Sequence, residues 1–152
     1  MVPVKVEAFS IVSGGVALRG ATYFPSGGGS AAVCFCHGLP REAKPVEEKG
    51  YSALAEKFAE EGFVSVIFNF QGTAGSGGFF SLFSWSRNLR DVLDHITSLR
   101  SVEPERVFVI AFSMGAIAAT SIAATDDRVS GFVCCSCPYN AEQFSYMLRE
   151  GF

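Results

Sequence analysis

Val107-Phe108-Val109-Ile110-Ala111-Phe112-Ser113-Met114-Gly115-Ala116 decides how this chain is read. Six residues of β-branched and aromatic character run straight into a serine, and a segment rich in small residues follows. An apolar run this short, preceded by Glu105-Arg106, predicts a strand buried on both faces. Met114 to Thr125 predicts a close-packed helix, because Gly115, Ala116, Ala118, Ala119, Ala123 and Ala124 are small. A strand that turns into a helix at one serine leaves little room around it. Ala111 two residues before and Gly115 two residues after let strand, turn and helix approach closely. Such a turn strains the backbone of its central residue and lifts that side chain to the top of a sheet.

Working outward, the 152 residues suit one domain, 1–152, with one sizeable core. Apolar residues make up 49% and charged residues 18%, the balance of a globular chain with much of its length buried. A net charge of −3 leaves no basic footprint for nucleic acid. Met1 to Ser10 has no basic start leading into an apolar core, so no secretory signal is read there. Ser113, Gly115, Thr120 and Ser121 interrupt the apolar stretch 107–124, which argues strand-then-helix rather than a membrane span. The expectation is a soluble, cytoplasmic protein with no membrane contact. Cys34, Cys36, Cys134, Cys135 and Cys137 all fall in predicted buried strands, where cysteine serves as a small hydrophobe. Neither cluster has an accompanying histidine, so no metal is expected.

In chain order, Val4 to Val12 and Val16 to Phe24 predict a hairpin around Ser13-Gly14-Gly15. Ala31 to Cys36 predicts a buried strand ending at His37-Gly38-Leu39-Pro40. Tyr51, Leu54, Ala55 and Phe58 recur at helical spacing, with Glu47 and Glu48 near the helix start. Phe63 to Phe70 predicts the next buried strand, followed by the glycine-rich stretch Gln71 to Gly78. Leu89, Val92, Leu93, Ile96 and Leu99 mark a second amphipathic helix, and Val129 to Cys137 a last strand. The fold class is therefore α/β: a mostly parallel sheet with helices on both faces and an N-terminal antiparallel hairpin. In such sheets sites gather at the carboxyl ends of strands. His37-Gly38, Gln71 to Gly78 and Ser113 to Gly115 should meet there in one crevice. The glycines of 72–78 do not fit a dinucleotide-binding spacing, and no cofactor is expected.

These features together resemble the α/β-hydrolase superfamily, particularly its small esterase and peptidase-like members. The resemblance rests on His37-Gly38, on Asn69-Phe70-Gln71-Gly72-Thr73-Ala74-Gly75-Ser76-Gly77-Gly78, and on Ala111-Phe112-Ser113-Met114-Gly115. Gln71 stands where the family usually has arginine, and Ala74 where it has glycine. The resemblance implies that Ser113 is the nucleophile at a nucleophile elbow. It also implies an oxyanion hole donated by the backbone N–H groups of Met114 and Leu39, and a small-molecule acyl substrate cleaved through an acyl-serine.

In this fold the catalytic acid and histidine follow the nucleophile, yet both histidines here, His37 and His95, precede Ser113. His37 falls in the oxyanion turn, where the family gives it a structural role. Asp126-Asp127-Arg128 reads as a solvated charge cluster. Asn140-Ala141-Glu142-Gln143 reads as a capping box opening a helix with Phe144, Met147 and Leu148 on its apolar stripe. The expectation is a hydrolase domain incomplete at its C-terminus. Folded alone, it would leave its last strand as an uncovered edge, and a homo-oligomer through that exposed edge is expected. The alternative is a non-catalytic binding module on a hydrolase scaffold. The cluster Phe79, Phe80, Leu82, Phe83 and Trp85 reads either as an acyl pocket or as a loop packed on the body.

Overall fold

The computed structural model describes residues 3–40, 42–48, 50–140 and 142. Its sheet has six strands in the order β1-β2-β4-β3-β5-β6. β1 (Lys5–Ser13) and β2 (Val16–Phe24) form an antiparallel hairpin in register from Lys5↔Phe24 to Ser13↔Val16. The two-residue turn between them needs left-handed backbone twice, and Gly14 and Gly15 supply it at φ 55° and 80°. β2 joins β4 (Val64–Phe68) antiparallel, while β3 (Ala32–Cys36) lies parallel between β4 and β5 (Val107–Phe112). β6 (Val129–Cys135) closes the order, parallel to β5. This is the expected α/β sheet with its N-terminal hairpin.

Among the described residues, three α-helices cover the two faces. α1 (Tyr51–Glu60) packs over β3 and β4 through Ala55 and Ala59 and ends at Gly62, φ 96°. α2 (Leu82–Ser98) and α3 (Ser113–Ala123) share the other face. On α2 the buried stripe is Trp85, Leu89, Val92, Leu93 and Ile96, the helical spacing that the sequence indicates, extended by one turn at its start. The main core lies beneath these two helices: the inward side chains of β3, β4 and β5 meet Trp85, Leu89, Leu93, Met114 and Ile122. Among the described residues no helix is long and apolar enough to cross a membrane.

Several local expectations change. β5 is not sealed on both faces: Val107, Val109 and Ala111 are buried, whereas Phe108, Ile110 and Phe112 are half-exposed. α1 covers β3 and β4 and leaves the same face of β5 and β6 as an open apolar groove of about 290 Å³, between Phe58, Phe63, Phe108 and Val133. The cysteines divide for a related reason. Cys34 and Cys36 are buried as expected, but Cys134 is exposed and Cys135 and Cys137 are half-exposed. Among the described residues β6 pairs only with β5, so an apolar run there does not imply burial. Glu47 and Glu48 form a separate 3-10 turn, Val46–Glu48, and Gly50 rather than an acidic residue heads α1. The block Phe79 to Trp85 is not one loop, because α2 begins at Leu82. Trp85 is fully buried while Phe79 and Phe83 are 88% and 92% exposed. The capping box and the stripe Phe144, Met147 and Leu148 lie largely outside the described residues.

Candidate active site

β5 passes directly into α3 at Ser113, with no residue between them. Ser113 has φ 50°, a left-handed conformation that costs a residue with a side chain roughly 1–2 kcal/mol. Surrounding contacts hold it there. A Cβ added to Gly38 would lie 2.9 Å from Ser113 Cβ and 3.5 Å from Ser113 Oγ, so the turn after β3 rests on the serine. A Cβ added to Gly115 would lie 2.2 Å from the His37 carbonyl oxygen. Glycine at 115 is what lets α3 press its first turn against the end of β3. Ser113 is half-exposed at this junction, and its Oγ makes no hydrogen bond among the described residues.

Met114, the second residue of α3, is fully buried. Its N–H belongs to the first helical turn, where amides lack intrahelical acceptors and the helix dipole favours negative charge. Leu39 follows Gly38 directly, half-buried against the α2–α3 core. The Ser113, Met114 and Leu39 segments therefore come together where β3 and β5 end.

His37 is 3% exposed and acts as a strut. Its Nδ1–H donates to the Gly38 carbonyl at 2.6 Å, and its Nε2 accepts the Phe70 N–H at 3.1 Å. That pairing assigns a neutral ring with the proton on Nδ1. The ring stands edge-on to Phe70 and Trp85, at 5.2 and 5.5 Å between centroids. Both nitrogens are spent on joining the ends of β3 and β4, which leaves neither for the serine. His95 sits ten residues beyond Trp85 on α2, roughly 15 Å along the helix axis. It stacks on Phe9 at 4.3 Å, and burial lowers its pKa from 6.5.

Asp126 does not reach the serine either. It follows the far end of α3 and takes a bidentate pair from Arg128, at 2.8 Å to Oδ1 and 2.7 Å to Oδ2. The guanidinium holds that carboxyl below the usual carboxylate range, against an opposing effect of burial. Arg128 also pairs with Asp94. Asp126 and Arg128 thus tie the end of α3 to α2, while Asp127 is exposed as the sequence reading expects.

The glycine-rich stretch divides. Its start joins the site: the Gln71 N–H donates to Asn88 Oδ1 at 3.0 Å, Trp85 Nε1–H to the Gln71 carbonyl at 2.9 Å, and Trp85 stacks on Phe70 at 4.3 Å. Gly72 to Gly77 turns away onto β2, where the Gly77 N–H meets the Ala17 carbonyl and Ser76 Oγ accepts from the Arg19 N–H. Two of the three strand-end turns are in direct contact, and only the first residues of the third reach them. Tyr51, read from the sequence as part of a helix stripe, also faces the crevice. Its ring is edge-on to Phe112 at 5.6 Å and to His37 at 6.4 Å. Burial raises its phenol pKa, opposed by a hydrogen bond from the Gly38 backbone. No sequence signal near Tyr51 marks that position. Among the described residues no group of three or more His, Cys, Asp or Glu is placed to hold a metal ion.

No curated protein sequence matches the chain. Solved structures match it well. An alpha-beta serine hydrolase homologue from Coxiella burnetii is 25% identical, with TM-score 0.73 over 91% of this chain and 66% of that one. The hypothetical protein PA2218 from Pseudomonas aeruginosa is 23% identical, with TM-score 0.77 over 99% of this chain and 52% of that one. The esterase Pf2001 from Pyrococcus furiosus is 20% identical, with TM-score 0.79 over 97% of this chain and 54% of that one. The chain spans about half the length of the latter two. These likenesses show the fold. The sequence itself matches the family described as serine aminopeptidase, S33, over residues 29–149, and the chain belongs to that family of α/β hydrolases.

Proposed function

We propose that this chain carries the nucleophile side of a serine hydrolase that cleaves an ester, thioester or peptide-like bond of a small acyl substrate. The observation that carries the reading is Ser113 itself, held at φ 50° between β5 and α3. A strained residue persists where its surroundings over-determine it, and such residues cluster at reactive sites. Membership of a hydrolase family described by serine aminopeptidases supports the same assignment.

In this mechanism Ser113 Oγ attacks the substrate carbonyl carbon and passes its proton to a general base. The carbonyl oxygen becomes an oxyanion facing the N–H groups of Met114 and Leu39. Loss of one such donor costs about 3 kcal/mol of barrier stabilisation. Collapse expels the protonated leaving group and leaves an acyl-serine, which water then hydrolyses. His37 remains the strut that positions the Leu39 turn. Among the described residues no histidine stands free at Ser113 to serve as that base: both His37 nitrogens are engaged and His95 stacks on Phe9.

The test is intact-mass analysis after incubation with a fluorophosphonate probe. One adduct is expected on the folded protein and none on Ser113→Ala. A folded sample that takes no adduct, or an adduct that survives in the variant, would overturn the assignment.

A further inference from the structure

The cysteines that the fold leaves outside its core have a definite arrangement. In Cys134-Cys135-Ser136-Cys137, at and just after the end of β6, two residues separate the thiols of Cys134 and Cys137. Cys134 is exposed and pairs across the sheet with Ala111; Cys135 pairs with Phe112. Alternation along the strand sets Cys134 on the same side as Phe132, which packs against the α2–α3 core. The chain then reverses at Ser136, whose φ is 52°. That reversal brings Cys137 back to the same side, where it too packs against the α2–α3 core. The two thiols are neighbours there and interact, with Cys137 Sγ–H also donating to the Pro138 carbonyl at 3.5 Å, while Cys135 points to the opposite face, toward Tyr51.

We propose that Cys134 and Cys137 are a redox-active dithiol site that a small-molecule disulfide, such as glutathione disulfide, converts reversibly into an intramolecular disulfide. Cys134, the exposed thiol, is the attacking group. Its thiolate displaces one glutathione, which leaves with the electron pair of the broken S–S bond and takes up the proton that Cys134 released. The Cys137 thiolate then attacks Cys134 Sγ in the mixed disulfide and expels the second glutathione. Two protein thiols lose two electrons and two protons, and one disulfide is reduced to two thiols. Burial, with a smaller effect of the Cys134 contact, raises the Cys137 pKa and keeps it mostly protonated, which leaves the first attack to Cys134; the second step relies on the two thiols being held together within one molecule. So small a ring constrains the unfolded chain little, so the bond is readily reversed.

The inner pair makes the contrast. Cys34 and Cys36 also touch, but both are fully buried in the central strand of the sheet, and burial raises the Cys36 pKa further. No disulfide in solution reaches them. Among the described residues no third metal-ligating group joins the outer thiols.

The test is equilibration of the reduced, full 152-residue protein with mixtures of reduced and oxidised glutathione, followed by alkylation, intact-mass analysis and peptide mapping. The expected product is lighter by two hydrogens, has lost two alkylatable thiols, and maps to a Cys134–Cys137 link. Cys137→Ser should instead stop at one glutathionyl adduct on Cys134. The proposal is overturned if Cys134 and Cys137 remain alkylatable in glutathione disulfide alone. It is equally overturned if the bond maps to another pair, or if Cys137→Ser closes an intramolecular bond as readily as the wild type. None of these readouts depends on hydrolase activity.

Discussion

The two faces of β5 are built from the same kind of residue and end in different states. Val107, Val109 and Ala111 disappear beneath α2 and α3, whereas Phe108, Ile110 and Phe112 stay half-exposed on the side of α1. One face is sealed by two helices, and the other borders the apolar groove beside Phe58 and Phe63. The difference shows that an apolar run encodes strand and sheet, while burial is set by which helix lies over which strand. It also explains the site. The sealed face holds Met114 and Trp85 rigidly behind the serine, and the close-packed side is the one against which the strained turn is held.

The largest effect should come from the sealed face. Trp85→Ala removes a fully buried indole, its stacking on Phe70 and its hydrogen bond to the Gln71 carbonyl, and should lower stability by about 4 kcal/mol in urea unfolding. Gly115→Ala should cost about 2 kcal/mol, because the new methyl meets the His37 carbonyl and the turn has no slack. Loss of fluorophosphonate labelling greater than the loss of folded protein would show that the same contact sets the serine. On the open face, Phe108→Ala should cost less than Trp85→Ala, about 2 kcal/mol, since that side chain is only partly buried. A value equal to that of Trp85→Ala would break the contrast between the faces.

The smallest effect belongs to the margin of the sealed face. Burial lowers the pKa of His95 from 6.5, so the folded state favours its neutral form. The unfolded chain then binds more protons in that window. Stability should be full above about pH 6.5 and fall as pH drops below it toward the lower folded value. His95→Gln should flatten this slope, and an unchanged pH profile in that variant would assign the slope elsewhere.

Much of the architecture was legible because it is written in local periodicity. The Gly14-Gly15 turn, the apolar strands and the stripe from Leu89 to Ile96 each declare themselves within a few residues. The strand-to-helix junction at Ser113 was legible from Ala111 and Gly115 flanking it at equal spacing. What was not legible depends on partners distant in sequence. Phe79 to Trp85 reads as one aromatic block, yet Trp85 turns inward and Phe83 outward only because α2 has already begun. The cysteines of β6 read like those of β3, but among the described residues β3 has a neighbour on each side and β6 on one. The engagement of both His37 nitrogens requires the Phe70 amide, which the end of β4 delivers, and Tyr51 reaches the crevice only through the placement of α1.

The position of β3 has a consequence for synthesis of the chain on the ribosome. The hairpin of β1 and β2 is complete once Phe24 has emerged, and β4 gives both β2 and β3 a partner by Phe68. The second edge of β3 must wait for Val107 to Ala111. At 5–20 residues per second the interval between Phe68 and Ala111 is roughly 2–9 s. During it the nascent chain presents one open edge of an apolar strand, Ala32–Cys36, to solvent and to chaperones. Docking of β5 then closes that edge and forms the serine turn in the same event, so every molecule that acquires the turn has already passed its period of greatest exposure to aggregation.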